Sequence, residues 1–153
     1  MADAPSDLIW ELTRPYNTYL VKRRTGGGAQ FSRDPLNLVN KHSRKYSGFV
    51  NDKAVGVQSS EKNGVTVITK RTKNVNKPAS GFNETTFSAS TPSRKLYKIV
   101  ANTTAKNGYR SDLRAEAVAR ASALRQSQRP KKETPEKKLR GVKAKKAAEK
   151  DSA

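Results

Sequence analysis

The chain has 153 residues, of which 32 are Lys or Arg and 13 are Asp or Glu, giving a formal net charge of +19. This length suits one domain with extensions, and only 33% of the residues are hydrophobic, so the core must be small. Because so many uncompensated cations repel one another in a compact monomer, we expect an acidic partner to neutralise them. A sequence pI near 10.4 is typical of nucleic-acid-binding domains.

The side chains that most enzymes and metal sites use are scarce. The sequence has no Cys and one His, His42, which excludes disulfides, thiolate nucleophiles and Cys-based zinc sites. The few acids are scattered, and the glycines at 26–28 lack the Gly-Lys-Ser or Gly-Lys-Thr that a nucleotide-binding loop requires. We therefore expect no enzymatic activity, no metal, no cofactor and no small-molecule substrate.

The sequence contains no run that approaches the roughly 18 apolar residues of a membrane-spanning helix. Asp3 and Asp7 occupy positions where a secretory signal would have basic residues, and no apolar stretch follows them. The basic C-terminal segment has mostly Ala opposite its charges, which predicts weak binding to lipid membranes. We expect an intracellular, soluble protein without a membrane partner.

The first predicted element is a hairpin near the N-terminus. Leu8, Trp10 and Leu12 alternate with polar residues, a period of two that indicates a half-buried strand. Residues 15–17 contain Pro and Asn and predict a turn, and residues 18–22 then form the returning strand.

A second hairpin follows a short helix. Asp34 precedes Pro35 and an apolar pair, a pattern that favours one or two helical turns over residues 34–39 with Asp34 as the cap. The β-branched runs at 54–57 and 65–69 predict two strands, because the loop between them ends in Asn-Gly, which readily takes positive φ angles.

Two helices are expected in the second half of the chain. In the first, Thr91 is the predicted cap, Pro92 the first residue and Asn107-Gly108 the stop signal. The buried stripe of this helix is predicted to contain Leu96, Ile99, Val100 and Thr103. The second helix begins at Ser111-Asp112 and continues until Pro130, with an Ala-rich sequence that favours helix.

These elements predict an α+β fold, in which a small antiparallel β module of two hairpins and a short helix precedes two α-helices. We expect residues 6–128 to form one RNA-binding domain. Residues 129–153 hold ten basic and four acidic residues with few large apolar side chains, which predicts a disordered basic tail. Within it, residues 139–150 could become helical on a partner.

Basic clusters at strand ends are candidates for phosphate contacts, because a rigid base there presents several cations together. On the last helix, Arg110, Arg114 and Arg125 fall near one azimuth. The planar guanidinium group of Arg can donate two parallel hydrogen bonds to phosphate oxygens. Tyr46 and Tyr109 lie beside basic residues, and stacking on unpaired bases is as good an interpretation for them as a core position. The candidate RNA-binding residues are Lys22, Arg23, Arg24, Lys41, Arg44, Lys45, Tyr46, Lys70, Arg71, Lys73, Lys77, Arg94, Lys95, Tyr109, Arg110, Arg114, Arg120 and Arg125.

Several N-terminal segments share their order and spacing with a known family. Residues 8–14 and 17–23 match the family's first hairpin, and residues 31–38 resemble its Phe-Ser…Glu-Pro-x-Asn-Leu stretch, with Asp34 in place of Glu. Residues 40–48 are similar to its Asn-Ser-x-x-Tyr-x-Gly segment, with two extra residues after the Asn.

The most specific block lies at residues 109–114 and continues at 120–123 and 127–129, although Ser111 replaces a family proline. Over roughly residues 8–129 the chain resembles a eukaryotic large-subunit ribosomal protein. The family is numbered twenty-eight in the eukaryotic series and lacks a bacterial counterpart.

The resemblance implies a structural constituent of the cytosolic large ribosomal subunit that binds ribosomal RNA beside neighbouring ribosomal proteins and passes through the nucleolus during assembly. The family is not known for catalysis. Two alternatives remain open. A related ribosome-assembly factor typically carries cysteines and long acidic C-terminal stretches, which this chain lacks. A linker-histone-like chromatin protein would share the Ala-Lys tail but would have a globular part of mainly three helices.

Overall fold

The fold consists of two small antiparallel sheets and three α-helices within the part of the chain that the structure describes. A computed structural model describes residues 4–25, 27–74, 77–131, 133, 140–142 and 144–145. The helices are α1 Ser6–Thr13, α2 Ser93–Ala105 and α3 Arg114–Ser127. The strands are β1 Leu20–Lys22, β2 Gln30–Ser32, β3 Val55–Ser59, β4 Val65–Lys70 and β5 Phe82–Phe87. Short 3-10 turns lie at Thr72–Asn74, Pro78–Ser80, Lys106–Gly108 and Ser111–Leu113. This mixed architecture confirms the predicted α+β class.

The larger sheet has the strand order β3-β4-β5, and β1 pairs with β2 in the smaller one. In the larger sheet Val57 lies opposite Val67, and Val67 lies opposite Thr85. Because side chains alternate along a strand, these three residues face one side and their neighbours Ile68 and Glu84 face the other. The side that carries Val57 and Val67 faces the hydrophobic core.

Helices α2 and α3 cover the first face and complete the core. Ala117 and Ala121 on α3 have no exposed surface, so the helix backbone approaches β3 closely. The core consists of Leu38, Val55, Val57, Val65, Val67, Leu96, Val100, Leu113, Ala117 and Ala121. Full burial of each Val or Leu contributes about 1.5–3 kcal/mol. One compact cluster therefore holds the sheet and both helices together.

The first strand of the predicted N-terminal hairpin is wrong, while residues 20–22 of its predicted second strand do form β1. Residues 8–12 lie in α1, and Leu20 in β1 pairs with Ser32 in β2 instead. Trp10 is buried, at 9% exposure, while Leu8 and Leu12 are 52% and 71% exposed. Leu8 and Leu12 are four residues apart, so they share one helix face and Trp10 points the opposite way. A helix with that arrangement alternates in sequence as a short strand does.

The second hairpin is confirmed, with β3 and β4 in antiparallel register. Asn63 takes a positive φ of 53°, as the turn requires. Gly64 is needed for a different reason, because a Cβ there would lie 2.4 Å from the Phe87 carbonyl oxygen. This glycine permits β5 to approach the turn.

Residues 34–39 form a non-helical turn instead of the predicted short helix. Asp34 caps it as expected, since its Oδ1 accepts the Leu36 N–H at 2.9 Å. Its Oδ2 accepts the N–H groups of Gly48 at 2.8 Å and Phe49 at 3.0 Å. Asp34 is buried, at 3% exposure, so one carboxylate fastens two loops together. Those tertiary bonds hold the segment in a turn.

The two C-terminal helices are confirmed, although Ser111–Leu113 form a 3-10 turn so that α3 begins at Arg114, and α2 differs in its details. Pro92 rather than Thr91 occupies the cap position, and no side chain caps the helix. Thr103 is exposed and donates to the Ile99 carbonyl, while Thr104 is buried in the stripe. The spacing of four from Leu96 through Val100 selects position 104. The stop is as predicted, with positive φ at both Asn107 and Gly108. Most of residues 129–153, for which a disordered tail and a partner-induced helix are predicted, lie outside the described residues.

Candidate RNA interface

Arg120 turns inward and bonds to the protein's own backbone. Its Nε donates to the Val57 carbonyl at 3.0 Å and its Nη1 to the Leu38 carbonyl at 3.1 Å. The same Nη1 donates to the side chain of Asn40 at 3.1 Å. Burial lowers the pKa of Arg120, although a guanidinium stays charged at neutral pH. This arginine ties α3 to β3 and to the loop before it.

Arg110 and Arg125 also bond backbone carbonyls, although the sequence placed both on an outward stripe with Arg114. Arg110 donates to the carbonyls of Lys53 at 2.8 Å and Lys45 at 3.0 Å. Arg125 donates to the carbonyls of Ala89, at 3.0 Å, and Thr91. Of the predicted stripe only Arg114 is exposed, whereas Arg110 and Arg125 are half-buried. The helix therefore uses most of its arginines to hold loops.

Both candidate tyrosines contact the protein itself. The Tyr109 hydroxyl donates to the Lys70 carbonyl at 2.6 Å and is 3.2 Å from that of Ala54, and burial raises the pKa of Tyr109. The Tyr46 hydroxyl donates to Glu116 at 3.1 Å, beside the ammonium of Lys45 at 3.4 Å from the same oxygen. For these two rings the structure favours the packing interpretation over the stacking one.

Arg44 and Lys70 hold the loop that follows the Asp34 turn. Arg44 forms an ion pair with Asp7 at 2.9 Å and also bonds Asn51. Lys70 donates to the carbonyls of Asn51 at 2.9 Å and Phe49 at 3.3 Å, and burial lowers the pKa of Lys70. Arg71 donates to the Asn83 side chain at 2.5 Å while remaining exposed.

The side chains of the remaining candidates point outward, and none of these side chains makes a hydrogen bond or ion pair with the described residues. We call them the outward cations: Lys22, Arg23, Arg24, Lys41, Lys73, Lys77, Arg94, Lys95 and Arg114. Lys22 additionally lies 4.6 Å from the centre of the Tyr16 ring. They occupy the end of β1 and the β1–β2 connection, the loop after β2, the stretch after β4 and the outer sides of α2 and α3. Cations without protein partners can exchange their hydration for phosphate oxygens.

One further exposed cation on α2, Lys98, is absent from the candidates predicted from the sequence. Lys98 is exposed and lies four residues after Arg94, so both occupy one face of α2. Leu96 and Val100 mark the opposite, buried face. The same helical spacing that identified the core stripe could therefore have identified Arg94, Lys95 and Lys98 as an outward basic face.

Five of the acids in the described part of the chain are committed to partners other than the outward cations. Asp7, Glu11, Asp112 and Glu116 pair with Arg44, Arg14, Arg110 and Lys45. Asp34 is committed to backbone N–H groups. Among the described residues there is no cluster of acids or His that could hold a metal ion, and no helix long and apolar enough to cross a membrane.

Comparison with known proteins gives one consistent result. The Ribosomal L28e protein family matches residues 8–127. The large ribosomal subunit protein eL28 of Schizosaccharomyces pombe is 49% identical over 128 residues, which cover 83% of this chain and 95% of the relative. The protein of that name in Dictyostelium discoideum is 34% identical, covering 80% of this chain and 91% of the relative. That of Trypanosoma cruzi is 31% identical, covering 78% and 75%. These matches confirm the resemblance seen in the sequence: the chain belongs to the Ribosomal L28e protein family.

Proposed function

We propose that the chain is a structural, non-enzymatic constituent of the cytosolic large ribosomal subunit that binds ribosomal RNA through phosphate contacts. Residues 6–128 act as one RNA-binding domain, and residues 129–153 form a basic tail that orders on RNA. The single observation that carries the RNA contact is the division of the cations into inward and outward sets. Inward arginines stabilise the fold, and no acid in the described part of the chain pairs with the outward cations.

The proposed contact surface contains the outward cations together with Lys98 and Arg71. These residues lie on several strands, loops and helices, so one or more RNA strands can contact them on different sides of the domain. Phosphate contacts fix position and orientation without reading sequence. Neighbouring proteins of the subunit complete the environment, and nucleolar passage accompanies assembly.

Sedimentation tests the assignment. A tagged chain expressed in a eukaryotic cell should co-sediment with translating polysomes and should remain with the large subunit after the subunits are separated. Retention in nuclear precursor particles alone, with none in polysomes, would identify an assembly factor and contradict the proposal. Recovery with chromatin alone would also contradict it.

A further inference from the structure

The second face of the larger sheet holds an aromatic groove that the RNA contacts proposed above do not use. The groove has a volume of about 400 Å³, within the ordinary range of roughly 300–1,000 Å³ for ligand pockets. Its walls include Tyr19, Leu36, Phe49, Ile68, Phe82 and Glu84. Tyr19 and Phe49 pack against each other with ring centres 5.8 Å apart.

The strand register explains why the groove is open. Lys70 lies opposite Phe82 and Ile68 opposite Glu84, so all four side chains leave the sheet on the face that α2 and α3 do not cover. The turn at Pro35 and Leu36 covers this face near Gly56, where a Cβ would meet the Pro35 carbonyl oxygen at 2.9 Å. Phe82 is left 41% exposed on β5.

We propose that this groove binds one unpaired nucleobase of the ribosomal RNA, stacked on Phe82. Aromatic rings on an exposed sheet face are a general means of stacking splayed-out bases. The inference rests on the proposed function, and it assigns a base contact to a protein whose other RNA contacts are to phosphates.

The polar groups at the groove favour a base over an apolar side chain of a neighbouring protein. Glu84 is exposed and forms no ion pair with any described residue, so its carboxylate can accept an N–H from a base edge. Lys70 uses two of its three N–H groups on the carbonyls of Phe49 and Asn51, leaving one donor. An apolar side chain would satisfy neither group.

Charge next to the groove also favours RNA. Arg71 follows Lys70 directly, and its backbone N–H bonds the Gly81 carbonyl at 2.7 Å beside Phe82. Lys73 and Lys77 continue along the connection to β5, and both are exposed. An RNA strand whose phosphates lie against these cations can extend a base over the edge of the β-sheet into the groove.

Binding of a single-stranded RNA of about 12 nucleotides with a fluorescent 2-aminopurine tests the stacking directly. The full chain is compared with Phe82→Leu, which keeps apolar volume but removes the ring, and with Phe82→Tyr, which keeps the ring. Phe82→Leu should weaken binding about 5- to 100-fold and reduce quenching of the 2-aminopurine, and Phe82→Tyr should bind as the parent does. Duplex RNA of the same sequence should bind equally to all three. Equal binding of the single strand by Phe82→Leu and the parent overturns the inference.

Ultraviolet crosslinking of the unaltered protein inside purified large subunits provides a second measurement that does not depend on the variants folding. A crosslink between a nucleotide and Phe82 or Tyr19 supports the inference. A crosslink from these residues to a peptide of another protein, or none at all, overturns it. Polysome sedimentation is independent of both results, so the groove inference can fail while the proposed function stands.

Discussion

The Nε of Arg120 donates a 3.0 Å hydrogen bond to the carbonyl oxygen of Val57, a residue 63 positions earlier in the chain. Val57 lies in the centre of β3 with no exposed surface, so this bond joins α3 to the strand at the core. The neighbouring carbonyl of Leu38 receives a second bond from the same guanidinium. Arg120 thus acts as part of the fold within a protein whose cations are expected to serve RNA.

Arg120→Met should lower the free energy of unfolding by about 2–3 kcal/mol, because it removes charge-assisted hydrogen bonds and leaves carbonyls unpaired. Urea unfolding followed by circular dichroism measures the change. Arg114→Met is the matched control on the same helix, and its exposed side chain should change stability by less than about 0.5 kcal/mol. Equal losses in the two variants would contradict the division into inward and outward arginines.

In contrast to Arg120→Met, the double variant Arg94→Ala and Lys98→Ala should change RNA binding and leave the stability of the fold unchanged. Both side chains are exposed on α2, so the unfolding curve should stay unchanged. If each contacts one phosphate, the slope of log affinity against log salt should become shallower by about 1.5. Filter binding to large-subunit ribosomal RNA over a range of salt concentrations gives that slope. An unaltered slope would show that this face of α2 does not touch RNA.

Asp34→Ala should destabilise the fold by about 3 kcal/mol. It removes the acceptor of three backbone N–H groups, of which that of Gly48 is buried. Asp52→Ala is a suitable control, since the side chain of Asp52 is exposed. Thermal unfolding of both variants checks this expectation. A melting temperature for Asp34→Ala equal to that of the control would mean that the carboxylate does not fasten the two loops.

Acid should weaken the protein partly through Asp112. The hydrogen bond from Arg110 holds the pKa of Asp112 below its ordinary value of 3.8. A carboxyl whose pKa is lower in the folded state stabilises the fold above its unfolded pKa and loses that contribution as the pH falls through the folded value. Melting temperatures should therefore fall below about pH 4. The fall should be less steep in Asp112→Asn, and an identical pH profile would exclude this contribution.

The sequence was sufficient for elements whose patterns are long or chemically specific. The β-branched runs around Asn63 identified the second hairpin, and the Ala-rich segment before Pro130 identified α3. Residues 8–12 were misassigned because five residues cannot separate a two-residue period from a helix with apolar residues four apart. Position 104 was missed because Thr103 and Thr104 differ only in which way the helix turns them.

The candidate interface was predictable only in outline. Charge and composition indicate a polyanionic partner, but they do not show which arginine faces inward. The carbonyl acceptors of Arg120 lie 63 and 82 residues away in sequence, and they become neighbours only when α3 packs on the sheet. The aromatic groove depends in the same way on the register between β4 and β5.

The salt dependence of RNA binding by the full chain tests the central claim most directly. If ten or more phosphates are neutralised by the outward cations and the basic tail, the slope of log affinity against log monovalent salt for large-subunit ribosomal RNA should be about −7 to −9. A slope near zero would show that phosphate neutralisation does not drive binding and would contradict the account.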